Sequence, residues 1–285
     1  MEKIKGLVTK VYSDKYTVSI NGGKVDCIAR GLFKLKKSKP LVGDIVEIKD
    51  NVIEKIYPRK NEFIRPPIAN VEQLVIVIAT TNPAPDLLLL DKQLIMAKKN
   101  DVDPIICVNK IDLKDDYDEI VDVYQDLGYQ VITTNAKEGI GVEKLALILQ
   151  NKITAFTGNS GVGKSALTNS IFKDEISEEG ETSKKLEKGK HTTKFVELYE
   201  IAPNSYIADT PGFSTYELKD INYRELDRYF SEFIPHIQDC KYRGCTHIKE
   251  EKCAIKKAVE RRLISKGRYE RYCTLYEKLK GENKW

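Results

Sequence analysis

A glycine-rich loop between an apolar run and a helical segment is the stretch best suited to chemistry. The run Ile153–Thr157 leads into Gly158, Asn159, Ser160, Gly161, Val162, Gly163, Lys164 and Ser165, and the helical segment starts at Ala166. Glycines let backbone N–H groups surround phosphates, and a helix N-terminus favours anions. Lys164 would reach the β- and γ-phosphates, and the Ser165 hydroxyl would bind Mg²⁺. The pattern predicts nucleoside triphosphate binding through this loop and Ala166; the alternative is a chance glycine turn.

A second motif indicates which base is read. Asn109, Lys110 and Asp112 follow a predicted strand, Pro104–Val108, where open α/β sheets bind ligands. Guanine offers one carboxylate two adjacent donors that adenine lacks, so Asp112 would select guanine. Lys110 would cover the base with its methylene stem, and Asn109 would tie this loop to its neighbours. Asn135, Ala136 and Lys137, after the next strand, would close the base pocket.

A third group of residues is predicted to surround the γ-phosphate. Asp209 ends another strand and would hold Mg²⁺ through water, while the Gly212 N–H would sense the γ-phosphate. Either Thr192 or Thr193 would complete the magnesium shell, and we favour Thr193. Phe213 stands where a water-orienting glutamine is common, so intrinsic hydrolysis should be slow. His191 is the candidate for help within the chain, and its alternative is an ordinary surface histidine.

Three cysteines and a histidine near the C-terminal end have the spacing of a metal site. Cys240, Cys245, His247 and Cys253 supply three thiolates and one imidazole, a set that favours tetrahedral Zn²⁺. Because the set is closed at four ligands, a structural role is favoured over a catalytic one. Free buried cysteines or a redox pair are the alternative. Basic residues around the cluster would suit RNA phosphates.

Composition and charge bound the class of protein. The 285 residues are 41% hydrophobic and 32% charged with a net charge of +4, which is typical of a soluble globular protein. No apolar run is long enough to span a membrane, and Met1–Lys5 lacks the apolar core of a signal peptide. We therefore expect a cytoplasmic protein. We also expect it to be a monomer.

The pattern of elements predicts three domains. Five short strands before residue 58 indicate an oligonucleotide-binding (OB-fold) barrel, whose basic segment Arg30–Lys39 is either a solvated loop or an RNA-binding surface. A proline-bearing linker, Pro58–Pro67, is expected next, followed by alternating strands and helices of a mostly parallel sheet. We predict a multi-domain α/β protein: an RNA-binding OB-fold domain at 1–62, a P-loop GTPase domain at 63–218 and an α-helical zinc-binding domain at 219–285. Tyr269, Tyr272 and Tyr276 are expected to pack rather than to stack on bases.

The order of the motifs is unusual, because the base-reading motif precedes the phosphate loop. Circular permutation preserves the contacts of a sheet when the original termini lie close together. The permuted chain would leave the sheet directly after Asp209 to Gly212. We therefore hypothesise that the C-terminal domain shifts when triphosphate replaces diphosphate.

These residues together resemble the RsgA (YjeQ) family of ribosome small-subunit-dependent GTPases. The resemblance runs nearly end to end and includes Pro40–Asp44, Arg65–Val71, Asn109–Asp112, Gly158–Ser165, Gly189–Thr193, Asp209–Phe213 and Cys240–Cys253. It implies GTP hydrolysis to GDP with Mg²⁺, stimulated by the small (30S) ribosomal subunit and its 16S rRNA during late maturation, with release of assembly factors. It also implies a switch-loop histidine matching His191 and one structural Zn²⁺.

Some positions depart from the family pattern. Asn135 stands where serine is common, Lys188 and Lys190 stand where arginines are frequent, and Glu251-Lys252 replaces the usual Pro-Gly. Two alternatives stay open at this point. One is an RNA-binding scaffold that holds GTP as a structural ligand; the other is a phosphotransferase with a small-molecule acceptor.

Overall fold

The computed structural model describes residues 3–21, 23–31, 33, 39–114, 116–176, 196–209, 218 and 221–282. The predicted strand Ile153–Thr157 is observed with the same bounds, and the predicted strand Pro104–Val108 is observed at Asp103–Asn109. Among the helices of these described residues, none has the combination of length and apolar character that a membrane crossing requires.

The N-terminal part is a closed barrel of five strands. They are β1 (Ile4–Tyr12), β2 (Lys15–Ile20), β3 (Gly23–Ala29), β4 (Ile45–Lys49) and β5 (Val52–Ile56). The barrel closes because β1 pairs with both β2 and β4, while β5 joins β3 to β4. Alternating side chains such as Val8, Val18 and Val46 fill its interior. The predicted OB-fold barrel is confirmed. Of the predicted basic segment, Leu32 and residues 34–38 lie outside the described residues.

A small hairpin follows the barrel where the sequence predicted a linker. Strands β6 (Glu62–Ile64) and β7 (Pro67–Ala69) pair in antiparallel register. The expectation of a plain linker is wrong because Phe63 and Ile68 are buried in the core beneath the sheet. The proposed boundary at residues 62 and 63 falls within β6 and stays a prediction.

Arg59 anchors this hairpin to the barrel. Its Nε and Nη2 each donate to the Asp44 carboxylate at 2.7 Å, and Asp44 is fully buried. The hydrogen bond to Asp44 is the largest influence on the pKa of Arg59 and raises it, whereas burial alone would lower it. The segment between barrel and sheet is therefore held by a bidentate ion pair.

The central sheet has six strands in the order β10-β9-β8-β11-β13-β12. They are β8 (Gln73–Ala79), β9 (Asp103–Asn109), β10 (Gln130–Thr134), β11 (Ile153–Thr157), β12 (Glu197–Ala202) and β13 (Ser205–Asp209). All pair in parallel except β12, which is antiparallel to β13 and also pairs with β1 of the barrel. The predicted mostly parallel sheet is confirmed.

Helices cover both faces of this sheet, as predicted. They are α1 (Leu87–Lys99), α2 (Asp118–Asp126), α3 (Val142–Ile148) and α4 (Lys164–Ile176). Because side chains alternate along a strand, Ile76 and Ile78 of β8 pack in the core with α1 and α2. Val75 and Val77 pack in the opposite core with α3 and α4. A continuous apolar run is what a strand buried on both faces requires.

The C-terminal part is helical. It contains 3₁₀ segments at Tyr223–Tyr229 and Ser231–Phe233, and helices α5 (Ile234–Ile237), α6 (Ala254–Glu260) and α7 (Lys266–Glu282). Its core contains Tyr272 and Tyr276, which are buried, and partly buried Tyr269 packs against it. The predicted packing role of the three tyrosines is confirmed.

Helix α1 belongs to both the sheet and the C-terminal part. Ile95 of α1 packs in the C-terminal core, and fully buried Asp91 forms ion pairs with Arg268 and Arg271 of α7. Glu232 accepts from Arg268 at 2.7 Å. We call this group of ion pairs the α1–α7 clamp; it comprises Asp91, Glu232, Arg268 and Arg271. A shift of α7 would therefore have to move α1 as well or break these ion pairs. The hypothesised nucleotide-dependent shift stays a prediction.

Candidate functional site

The loop between β11 and α4 is shaped by backbone that only glycine adopts easily. Gly158 has φ +133°, and a Cβ there would lie 2.1 Å from the Val77 carbonyl oxygen. Gly163 has φ +102°, and a Cβ there would lie 2.2 Å from Asn109 Nδ2. Both positions therefore exclude side chains. The second contact brings the phosphate loop against the base-reading motif.

Lys164 opens α4 and folds back over the loop. Its Nζ donates to the carbonyl oxygens of Gly158 and Asn159, each at 2.7 Å. Half-burial lowers the pKa of Lys164. Ser165 and Ala166 follow in the first helical turn and are exposed, as is Ser160 at the loop crest. The cation thus lies above a helix N-terminus, an arrangement that suits anions.

Asn109, at the end of β9, joins three loops through one buried side chain. Its Nδ2 donates to the Val162 carbonyl at 2.9 Å. Its Oδ1 accepts from the Thr134 hydroxyl at 3.0 Å and from the Ala136 N–H at 3.2 Å. The predicted tie between the base-reading loop and its neighbours is therefore present.

Lys110 and Asp112 follow this hub in the chain and differ in their surroundings. Lys110 has φ +64°; its carbonyl accepts from the Thr80 hydroxyl at 2.6 Å, and its Nζ donates to the Asn82 carbonyl. Asp112 is exposed. Its backbone is fixed from one residue before, where the Ile111 N–H donates to the Thr134 carbonyl at 3.4 Å. Asp112 is therefore exposed to solvent and follows a backbone that is hydrogen-bonded to the end of β10.

Asn135 shapes the loop that follows β10. Its N–H donates to the Ile140 carbonyl at 2.9 Å, and its Oδ1 accepts from the Lys137 N–H at 3.1 Å. Its buried Nδ2 finds no hydrogen-bond acceptor among the described residues. Lys137 is exposed. Through the Ala136 N–H, which donates to Asn109 Oδ1, this loop contacts the base-reading motif. That the loop closes a base pocket stays a prediction.

The residues predicted to face Mg²⁺ and the γ-phosphate lie only partly within the described residues. Asp209 ends β13, one residue beyond the Ala155–Ala208 pair, so its backbone lies at the same sheet edge as the phosphate loop. His191, Thr192, Thr193, Gly212 and Phe213 lie outside the described residues. Nucleotide and Mg²⁺ contacts by all of these residues stay predictions.

Helix α1 contributes supporting residues that the sequence did not reveal. Gln93 donates from Nε2 to Thr157 Oγ1 at 2.7 Å in the interior, directly before Gly158. Asp86, the N-cap of α1, accepts from Asn159 Nδ2 at 3.3 Å. Asp86 could have been identified from sequence as a helix N-cap, because aspartate is favoured there. Nothing in the sequence links Gln93 to the loop, because Gln93 and Thr157 are 64 residues apart.

The four predicted metal ligands lie together. The ligand atoms of Cys240, Cys245, His247 and Cys253 are all within 4.8 Å of one another. His247 Nδ1 is 3.3 Å from Cys253 Sγ and 3.6 Å from Cys240 Sγ, and the latter two sulfurs are 4.0 Å apart. Tetrahedral Zn²⁺ would require edges of about 3.8 Å between sulfurs and about 3.6 Å between sulfur and nitrogen. The three distances among Cys240, His247 and Cys253 are close to these values, and Cys245 lies within 4.8 Å of the other ligand atoms, so the donor set is compatible with zinc.

Electrostatics in the cluster also favour a bound cation. Burial raises the pKa of Cys245 to about 12, although a hydrogen bond from the His247 backbone acts in the opposite direction. Burial also opposes ionisation of Cys253, but the hydrogen bond from His247 lowers the pKa of that thiol to about 7. A cation within the set would stabilise all three thiolates.

Comparisons with known proteins agree with this geometry. The sequence model of the RsgA GTPase family matches residues 56–219, and that of the RsgA N-terminal domain matches residues 5–55. The small ribosomal subunit biogenesis GTPase RsgA of Caldanaerobacter subterraneus is 40% identical over 291 aligned positions, which cover 100% of this chain and 98% of the relative. The RsgA of Clostridium beijerinckii is 44% identical, and the alignment covers 99% of this chain and 100% of the relative.

Two crystal structures have the same architecture. YjeQ from Thermotoga maritima superposes with a TM-score of 0.85 at 34% identity, covering 98% of this chain and 99% of that one. YloQ, described as a circularly permuted GTPase, superposes with a TM-score of 0.82 at 33% identity, covering 98% and 96%. The predicted permutation is confirmed, since the strands that carry the base-reading motif precede the phosphate-loop strand here too. Sequence, sheet order and these alignments together establish that the chain belongs to the RsgA GTPase family.

Proposed function

We propose that this chain hydrolyses GTP as a switch in maturation of the small ribosomal subunit. The observation that carries the proposal is the Asn109 hub, because one buried amide joins the phosphate loop, the base-reading loop and the loop that closes the base pocket. Such a junction makes base recognition and phosphate binding parts of one site. The relatives are named small ribosomal subunit biogenesis GTPases, which supports the choice of partner.

In this proposal the nucleotide site uses the chain's own polar groups at three points. Asp112 accepts the two guanine donors, and the N–H groups from Gly158 to Ala166 surround the phosphates with Lys164. Ser165, Thr193 and Asp209 would hold Mg²⁺, which would supply charge neutralisation at the phosphates. Gly212 senses the γ-phosphate, and His191 assists the attacking water.

The remaining parts of the chain would bind the subunit. One structural Zn²⁺ at Cys240, Cys245, His247 and Cys253 would hold a loop on which Lys241, Arg243, Lys249 and Lys252 are exposed. Exposed cations attract the phosphates of 16S rRNA. We further propose that the protein acts as a monomer in the cytoplasm.

The test of this function is the rate of GTP hydrolysis, measured at increasing concentrations of small ribosomal subunits and at several salt concentrations. We expect stimulation that falls steeply with salt, because phosphate contacts release counterions. The His191→Ala variant should bind GTP normally and lose part of the stimulated turnover. Salt-sensitive subunit binding without any stimulation would instead favour the RNA-binding scaffold, and failure to bind subunits would contradict the proposal.

A further inference from the structure

His247 presents its two ring nitrogens to different surroundings. The side chain is fully buried, and Nδ1 lies on the thiol side, 3.3 Å from Cys253 Sγ. On the other side, Nε2 is 3.4 Å from Oδ2 of Asp227. The backbone of His247 is fixed as well, since its carbonyl accepts from the Tyr269 hydroxyl at 2.7 Å. The ring therefore has one edge toward the metal ligands and one toward a carboxylate.

Asp227 comes from outside the metal-binding loop. It lies in the 3₁₀ segment Tyr223–Tyr229, twenty residues before His247. The side chain is 13% exposed, and its Oδ1 is buried without a hydrogen-bond partner among the described residues. A buried carboxylate with so few donors costs free energy, and a cationic or N–H-bearing neighbour must offset that cost. Among the described residues, the ring nitrogen within hydrogen-bond range of this carboxylate is His247 Nε2, 3.4 Å from Oδ2.

We propose that Asp227 is a positioning residue of the metal centre, accepting a hydrogen bond from Nε2–H of His247 and thereby directing Nδ1 to the metal. This inference rests on the proposed zinc centre. A carboxylate behind a ligating histidine fixes its tautomer and ring orientation and makes the imidazole a stronger ligand. Because Asp227 precedes the loop, metal binding would also fix the segment through which the chain passes from the nucleotide-binding sheet to the metal site.

The first measurement is the tautomer of His247 in the zinc-loaded, full-length protein. Long-range ¹⁵N–¹H correlation spectra distinguish a protonated Nε2 from a protonated Nδ1, and variants of the other two histidines, His191 and His236, assign the signals. We expect Nε2 to carry the proton and Nδ1 to bear the metal-shifted signal. A metal-bound Nε2 would overturn the inference without affecting the proposed zinc centre.

The second measurement is zinc affinity by competition with a chromophoric chelator. We expect Asp227→Ala to bind zinc 10- to 100-fold more weakly than the wild type, the range typical of lost outer-sphere carboxylates. Asp227→Asn, which keeps a hydrogen-bond acceptor, should recover part of the loss. Glu225→Gln, which changes an exposed carboxylate in the same 3₁₀ segment, is the matched control and should bind like the wild type.

The outcomes separate the two proposals. Wild-type affinity in both Asp227 variants would overturn the role of Asp227 alone. A wild-type protein that binds no zinc would overturn the zinc centre and this inference together. Should Asp227→Ala fail to fold, Asp227→Asn and the wild-type tautomer still decide the question.

Discussion

Replacing Asp91 with asparagine removes the charge at the centre of the α1–α7 clamp. Asp91 Oδ1 accepts from the Tyr124 hydroxyl at 2.6 Å and from Arg268 Nη1, and Oδ2 accepts from Arg271 Nε at 2.5 Å. An asparagine of the same shape cannot neutralise the guanidinium groups, and its amide N–H would face one of their donors. Both Asp91 and Arg268 are buried, so water cannot replace the lost partner.

The expected loss follows from that burial. Removing one partner of a buried ion pair destabilises a protein by about 3–5 kcal/mol, because the remaining charge stays buried. Arg268 keeps Glu232 at 2.7 Å, which favours the lower end of that range. We therefore expect Asp91→Asn to lower the free energy of opening by about 3 kcal/mol, which is roughly a 150-fold change in the opening equilibrium.

Native-state amide hydrogen exchange in α7 is the suitable assay, because a chain with several domains need not unfold in one step. The matched control is Asp103→Asn, which removes an exposed ion pair with Lys152 at 3.4 Å and should change stability by less than about 0.5 kcal/mol. Exchange in α7 that differs from the wild type by no more than the control would refute the reasoning.

Three further substitutions test individual contacts. Asn109→Ala leaves the Val162 carbonyl without its donor, and calorimetry should find GTP binding about 10- to 100-fold weaker; wild-type affinity would contradict the hub. Asp112→Asn replaces one hydrogen-bond acceptor by a donor. Xanthosine triphosphate has a carbonyl in place of the guanine amino group, so this variant should bind it better than GTP. A retained preference for GTP would count against Asp112 as the residue that reads the base. Burial alone would raise the pKa of Glu250, but hydrogen bonds from the Thr246 N–H and neighbouring donors lower it to about 2 from an ordinary 4.5. The stabilisation contributed by the Glu250 carboxylate is therefore present above pH 4.5 and is lost as the pH falls toward 2. With the metal chelated, the difference in unfolding free energy between the wild type and Glu250→Gln should shrink over that pH range. A difference that stays constant would exclude this contribution of Glu250.

Local sequence patterns were sufficient for most of the fold. Strand β11, its glycine loop and α4 are contiguous, so apolar run, turn and helix can be recognised without any distant contact. The four metal ligands are likewise close in sequence, and the structure brings them together. The barrel was predictable because its strands are short and are separated by evident turns.

Contacts between residues that are far apart in the sequence explain what the sequence did not reveal. The hairpin of β6 and β7 has the prolines of a linker, and only the burial of Phe63 and Ile68 identifies it as structure. The α1–α7 clamp depends on pairing Asp91 with an arginine 177 positions later. Charged residues on helices are usually solvated, so spacing alone gives no reason to expect this pair in the interior.

The central claim is that guanine is held beside Asp112 while its phosphates lie in the loop after β11. Competition calorimetry on the purified chain, with GTP and ATP titrated under the same Mg²⁺ concentration, tests that claim most directly. We expect tight GTP binding that ATP does not displace at comparable concentrations, because adenine leaves the Asp112 carboxylate without its two donors. Displacement of GTP by ATP at equal concentration would contradict it.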